Sequence, residues 1–104
     1  MSKSRRRAHV SSYILLMQHL SKWQFQRERR SRSWVGTIDH ERIGIAGREA
    51  ESSEFRVASA MHLADAYRRA RRSAAHETEL PLSTFPETCP YTAEQLRDRD
   101  FLPE

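Results

Sequence analysis

Between Val10 and Trp23 the apolar residues return every three or four positions: Val10, Tyr13, Ile14, Met17, Leu20 and Trp23, with Leu15 and Leu16 widening the stripe. That spacing follows the 3.6-residue turn of an α-helix and makes one of its faces apolar. It excludes a half-buried strand, whose side chains alternate with a period of two. The pattern predicts a first helix over about 8–26, with an apolar face wide enough for more than one neighbour. No segment alternates over strand length, so the expected fold class is all-α.

Trp34, Val35, Ile38 and Ile45 predict a second helix over about 34–50, with Ser31 and Ser33 as candidate caps. Gly36, Gly44 and Gly47 fall inside it, and each mid-helix glycine costs about 0.5–1 kcal/mol relative to alanine. A break near Gly44 to Gly47 is therefore the weak point of this assignment. A third helix is expected over about 53–77, with Ser52 as cap and Glu54 in the first turn, where a negative charge suits the helix dipole. Ala60, Leu63, Tyr67, Ala70 and Ala74 draw a narrow, small-residue seam along it, against which another helix can come close.

Pro81, Pro86, Pro90 and Pro103 then bar long helices, because proline fixes φ and lacks an N–H. Leu80, Leu82, Phe85 and Tyr91 supply anchors for an ordered loop. Thr92 with Gln95 forms a capping box, and Tyr91 with Leu96 a staple, for a short helix over about 92–98. Phe101 and Leu102 are expected to tuck back onto the bundle. Residues 1–7 hold only Lys, Arg, Ser and the initial Met and read as a mobile basic start, leaving 8–104 as a single helical domain.

At 104 residues the chain fits one domain with a modest core. Its 38% hydrophobic and 31% charged residues suggest that part of the apolar surface is hidden against a partner. Charge is uneven: nine basic side chains against Glu28 alone give residues 1–32 a charge of +8, while 77–104 carry −5. The basic front either seeks phosphate or is satisfied by the acidic end, within one chain or between copies. Cys89 is the lone cysteine, so no intramolecular disulfide forms. The apolar run Tyr13 to Met17 is too short for a signal peptide, and nothing approaches the roughly 20 apolar residues of a membrane span. A soluble, cytoplasmic protein without membrane contact is expected.

Few residues invite chemistry. His9, His19, His40, His62 and His76 show no metal-ligand spacing. Asp39 to Arg42 gathers acid, imidazole and base, but neighbours on a helix point different ways, so a solvated face is the preferred reading. Cys89 with His76 could form a nucleophile pair; packing is preferred. The glycines form no phosphate loop. No catalytic, metal or cofactor-binding residue is assigned, and no cofactor is expected. The remaining candidate is the run Lys22, Arg27, Arg29, Arg30 and Arg32, flanked by Trp23, Phe25 and Trp34. Its arginines could fork onto phosphates while the aromatic rings stack bases. Alternatively the tryptophans pack in the core at a helix corner, and the arginines take C-terminal carboxylates and the orphan carbonyls ending the first helix. The second reading is preferred.

Three blocks, LLMQHLSKWQFQRERRSRSWVGTI, AYRRARRSAAHETELP and FPETCPYTAEQLRDRDFLPE, resemble in content and order the bacterial domain-of-unknown-function family 29. The matching positions are Leu20, Lys22, Trp23, Gln24, Arg29, Arg30, Ser33, Trp34, Ala66, Tyr67, Ala70, Arg71, Glu77, Pro81, Phe85, Pro86, Cys89, Pro90, Tyr91, Leu102 and Pro103. The resemblance implies a small all-helical domain and no particular activity. The chain differs in three respects. By this resemblance the family's usual N-terminal segment is expected to be missing, which would leave the first helix partly uncovered. The chain has Glu79 where the family has a glycine suited to a left-handed cap. It also places glycines in the second helix. Together these features lead to an interaction module, self-associating or bound to a protein partner; the alternative is a nucleic-acid-binding protein using the arginine run.

Overall fold

The computed structural model describes residues 2–104. Four helices carry the chain: α1 (Lys3–Phe25), α2 (Arg32–Glu51), α3 (Ser53–Thr78) and the short α4 (Ala93–Arg97). Short 3-10 turns at Arg27–Arg29 and Leu82–Thr84 link them, and there is no strand among the described residues. The all-α expectation holds, with three main helices, a proline-rich connection, a short fourth helix and a tail.

Local chemistry sets the boundaries. Ser2 caps α1 by accepting from the Arg5 N–H, so the helix begins at Lys3 and not near residue 8, and residues 3–7 form its first turns rather than a separate start. Ser31 caps α2 by accepting from Trp34 N, two residues earlier than the apolar pattern begins. No break occurs at Gly44 to Gly47: α2 runs unbroken to Glu51. Side chains on its inner face hold the helix there despite the glycines, since Ile45 is buried and Arg48 is tied to α1. Ser52 caps α3, and Thr92 and Gln95 make the expected capping box for α4. Glu79 closes α3 in the left-handed region at φ 59°, ψ 23°. A glycine would adopt that conformation freely; an L side chain there crowds its own carbonyl.

Contacts fix the topology. Arg5 reaches Glu51 and His9 packs on Phe55 at one end, while Gln18 and Lys22 reach Glu77 at the other. Helices α1 and α3 therefore run parallel and pack directly together, and α2 returns antiparallel, chiefly against α1. The molecule measures 39 × 24 × 21 Å, and α3 alone has 26 residues, enough for its long dimension.

The core joins Tyr13, Leu16, Met17 and Leu20 of α1 to Ile38 and Ile45 of α2 and Ala66, Tyr67 and Ala70 of α3. Tyr91 and Leu96 close it from the C-terminal side. Each large apolar side chain so buried stabilises the fold by about 1.5–3 kcal/mol. The α3 seam differs in its first half: Ala60 is exposed, and Phe55, Ala58 and Ser59 are buried instead. Leu102 is also only partly covered, and the neighbouring Phe101 and Pro103 turn inward.

Candidate functional site

The arginine run lies at the α1–α2 corner and divides there. Lys22 is buried; its Nζ sits 2.8 Å from Glu77 and 4.9 Å from the centre of a Trp34 ring. Arg27 and Arg30 both donate to the main-chain oxygen of Glu104. Arg30 also lies over Trp23 and donates to the Trp23 carbonyl, one of the groups left without an intrahelical partner where α1 ends. Arg29 and Arg32 are exposed and donate no side-chain hydrogen bond among the described residues. Three of the five candidates are thus engaged within the chain. The two tryptophans are half-buried, each beneath a cation rather than deep in the core.

The other family-motif positions hold the far end together. Tyr91 donates to Gln24 Oε1, and Tyr67 to the Pro86 carbonyl at 2.6 Å. Burial pushes both phenols up, Tyr67 to about 12. Phe85 is buried edge-on against Phe25, and Arg71 donates twice to its carbonyl. Pro81 and Pro90 are exposed and Pro86 half-buried, shaping the connection more than filling the core.

A second constellation has no counterpart in the sequence reading. The Glu49 carboxylate of α2 is 5% exposed and collects donors from three other helices. Its Oε2 accepts from Tyr13 at 2.7 Å, His9 at 3.1 Å and Ser59 at 3.2 Å, while Arg97 of α4 donates to Oε1 at 2.8 Å. Arg48 donates to Nδ1 of His9 at 2.8 Å. A guanidinium can only donate, so His9 carries its proton on Nε2 and gives it to Glu49. Burial alone would raise the Glu49 pKa; bonds from Arg97, Tyr13 and His9 outweigh it and hold the carboxyl low. Burial depresses His9 despite the opposing pull of Glu49, and pushes Tyr13 up to about 12. The result is a saturated ionic hub stitching four helices together. Nearby, the buried Arg42 donates to the carbonyls of Leu96, Phe101 and Gln95, so that α2 grips the end of α4 and the tail. The Asp39 to Arg42 stretch is accordingly not a wholly solvated face, although His40 is exposed and Asp39 meets Arg99 at the surface.

Arg42 could have been found from its position: it falls four residues after Ile38 and three before Ile45, so it sits inside the apolar stripe. His9 likewise precedes Tyr13 by four. Ser59, Glu49 and Arg97 offer no such signal, since each is an ordinary polar residue until the helices meet.

A third feature is an open groove between the first halves of α1 and α3. Val10 and Ile14 lie along it, with Lys3, Arg6, Arg7 and Arg69 on its rim, and Arg6 and His62 continue it past Val57 and Met61. Met61 is 74% exposed and Val57 58%. The uncovered apolar surface is thus shared: α1 contributes Val10 and Ile14 with most of the cations, and α3 contributes the more exposed Val57 and Met61.

Cys89 is half-buried, its thiol pushed up by burial and directed at the Tyr91 carbonyl, whereas His76 is exposed. A nucleophilic thiol needs its pKa lowered. Among the described residues no cluster of three or more His, Cys, Asp or Glu side chains could hold a metal ion, and no helix is long and apolar enough to cross a membrane.

Neither the curated proteins nor the solved structures contain a match to this chain. The family model described as "Domain of unknown function DUF29" matches residues 1–102, nearly the whole sequence. With nearly the whole chain matched, it belongs to this family of domains of unknown function.

Proposed function

We propose that this protein is a small interaction module that assembles head to tail with further copies of itself. The observation that carries the reading is Met61, a large apolar side chain left in the open on a groove lined there by Arg6, His62 and Glu54, which continues along Lys3, Arg7, Asp65 and Arg69 with a net positive charge. Lys3, Arg6 and Arg7 make no side-chain hydrogen bond or ion pair among the described residues. Exposed apolar surface ringed by charge marks association sites. A matching surface lies at the opposite end, beyond α3, where Glu79, Leu82 and Glu87 are exposed and neither carboxylate is paired among the described residues. Charge complementarity favours contact between such faces and rejects like-charged partners. Because the two faces differ and lie at opposite ends, the contact is heterologous and need not stop at two copies.

Light scattering at micromolar concentration tests this. Growth in mass that falls with added salt supports it, whereas a folded monomer throughout removes it. The competing reading, nucleic-acid binding, draws on Arg29 and Arg32, which stay exposed. Retention of mixed DNA and RNA at about 50 mM salt, lost steeply as salt rises, would favour that reading instead. We place the protein in the bacterial cytoplasm, where a lone cysteine such as Cys89 stays reduced.

A further inference from the structure

Helices α2, α3 and α4 leave an opening of about 450 Å³ above the Glu49 hub. This lies within the range of small-ligand sites. Its charge is unbalanced: the lining carries the guanidinium groups of Arg42, Arg56 and Arg97 against one carboxylate, Glu49. Glu49 is already engaged, since Oε2 accepts three bonds and Oε1 accepts from Arg97. Arg42 is spent on main-chain carbonyls. Arg56 is different. Its Nε stops 3.9 Å from Glu49, too far for a hydrogen bond, and its guanidinium donates none among the described residues. Beside it, Ile45, Ala46 and Ala50 give the opening an apolar wall.

We propose that this opening binds a small organic oxyanion, a carboxylate or phosphate group carried on an apolar body. The planar fork of Arg56 matches either group bidentately, with the positive field of Arg97 behind it. The first turn of α3 also borders the opening at Ser53, so the positive end of a 26-residue helix adds to that field. The apolar body rests against Ala46 and Ala50. A cation is repelled, and a neutral molecule gains nothing from Arg56. This site meets the α1–α3 groove only at Ser53, and neither Arg56 nor its apolar wall belongs to that groove.

Calorimetric titration and thermal unfolding test the proposal with benzoate, phenyl phosphate, inorganic phosphate, benzamide and benzylamine. Benzoate or phenyl phosphate binds one per chain with Kd below about 1 mM and raises the unfolding temperature; the tighter of the two identifies the preferred head group. Inorganic phosphate binds about tenfold more weakly, and benzamide and benzylamine do not bind, because the apolar wall and the guanidinium are both needed. Arg56→Gln leaves every Glu49 hydrogen bond in place, keeps the unliganded unfolding temperature and weakens the aryl anion about tenfold. Ala46→Tyr fills the opening and also abolishes binding. The proposal is overturned if neither aryl anion binds saturably, if benzamide binds as well as benzoate, or if binding survives both substitutions unchanged.

Discussion

The hydroxyl of Tyr13 on α1 donates to the Glu49 carboxylate on α2 at 2.7 Å, in a site where Glu49 is 5% exposed. Tyr13 is itself 2% exposed, so neither group can turn to water if the other is removed. Glu49→Gln leaves Arg97 without its charge partner and is expected to destabilise the fold by about 3 kcal/mol. Tyr13→Phe removes one donor from an acceptor that keeps others and is expected to cost about 1 kcal/mol. Urea titration of both variants checks the ranking; equal effects would mean that Glu49 is not the hub.

The same cluster sets an acid limit. His9 and Glu49 both have folded-state pKa values below their ordinary ones, so the unfolded chain binds the extra proton first and stability falls with falling pH. Loss begins below about 6.5, the ordinary histidine value, and deepens below 4.5 as Glu49 enters. His19, depressed mainly by burial, adds a contribution of the same sign in the upper window. Unfolding curves between pH 7 and pH 4 are expected to slope throughout, and a combined His9→Gln and His19→Gln variant to lose the slope between pH 6.5 and 5. An unchanged slope in that variant would place the titration elsewhere.

Arg42 gives the tail its anchor. Its three nitrogens reach three carbonyls, a geometry that a lysine ammonium cannot reproduce. Arg42→Lys is expected to cost about 2 kcal/mol and to loosen α4 and the residues after it before the rest unfolds. Hydrogen exchange at Leu96 to Phe101 reads this directly. Protection there equal to that of the unmodified protein would show that the tail holds by packing alone.

The helices were legible in the sequence because local rules decide them: Ser52, Thr92 and Gln95 cap as their side chains dictate, and Tyr13, Leu16, Met17 and Leu20 are buried as the helical period requires. The corner was legible in part. The sequence brackets Arg27 and Arg30 between two tryptophans, but their convergence on Glu104 spans more than seventy residues and follows only from the path of the tail. The hub was not legible. Its members come from four helices, and polar residues on separate amphipathic helices look alike until the register between helices is known. The uncovered face of α1 was legible only in part: Val10, Ile14 and Leu15 stay partly open as its width suggests, but the larger exposed side chains, Val57 and Met61, lie on α3.

Glu79 holds a conformation made for glycine. Glu79→Gly is expected to raise stability by about 1 kcal/mol, the strain of a left-handed side chain less some added unfolded-state freedom. That corresponds to a few degrees in unfolding temperature. Glu79→Ala retains the Cβ and is expected to gain little. Equal gains in the two variants would trace the effect to the lost charge.

The α2 glycines separate by what stands near them. A Cβ at Gly47 meets nothing within 4 Å, so Gly47→Ala is expected to stabilise by about 0.5–1 kcal/mol through helix propensity alone. At Gly44 the new carbon would lie 3.1 Å from the Arg48 guanidinium, which holds His9 and Ser12. Gly44→Ala is therefore expected to gain less or to destabilise, and thermal unfolding of the pair should order them Gly47→Ala above Gly44→Ala.

Sedimentation velocity on two complementary variants separates head-to-tail assembly from a lone chain. Arg6→Glu with Met61→Glu removes the groove and leaves the acidic end; Leu82→Lys with Glu87→Lys does the reverse. Each variant alone should remain a 12.2 kDa monomer, because each lacks one of the two faces. Mixed in equal amounts, they should form a species of twice that mass that grows no further, since the one intact pair of faces is then used up. A mixture that stays monomeric at about 100 µM, roughly where weak contacts of this kind form, would contradict the account.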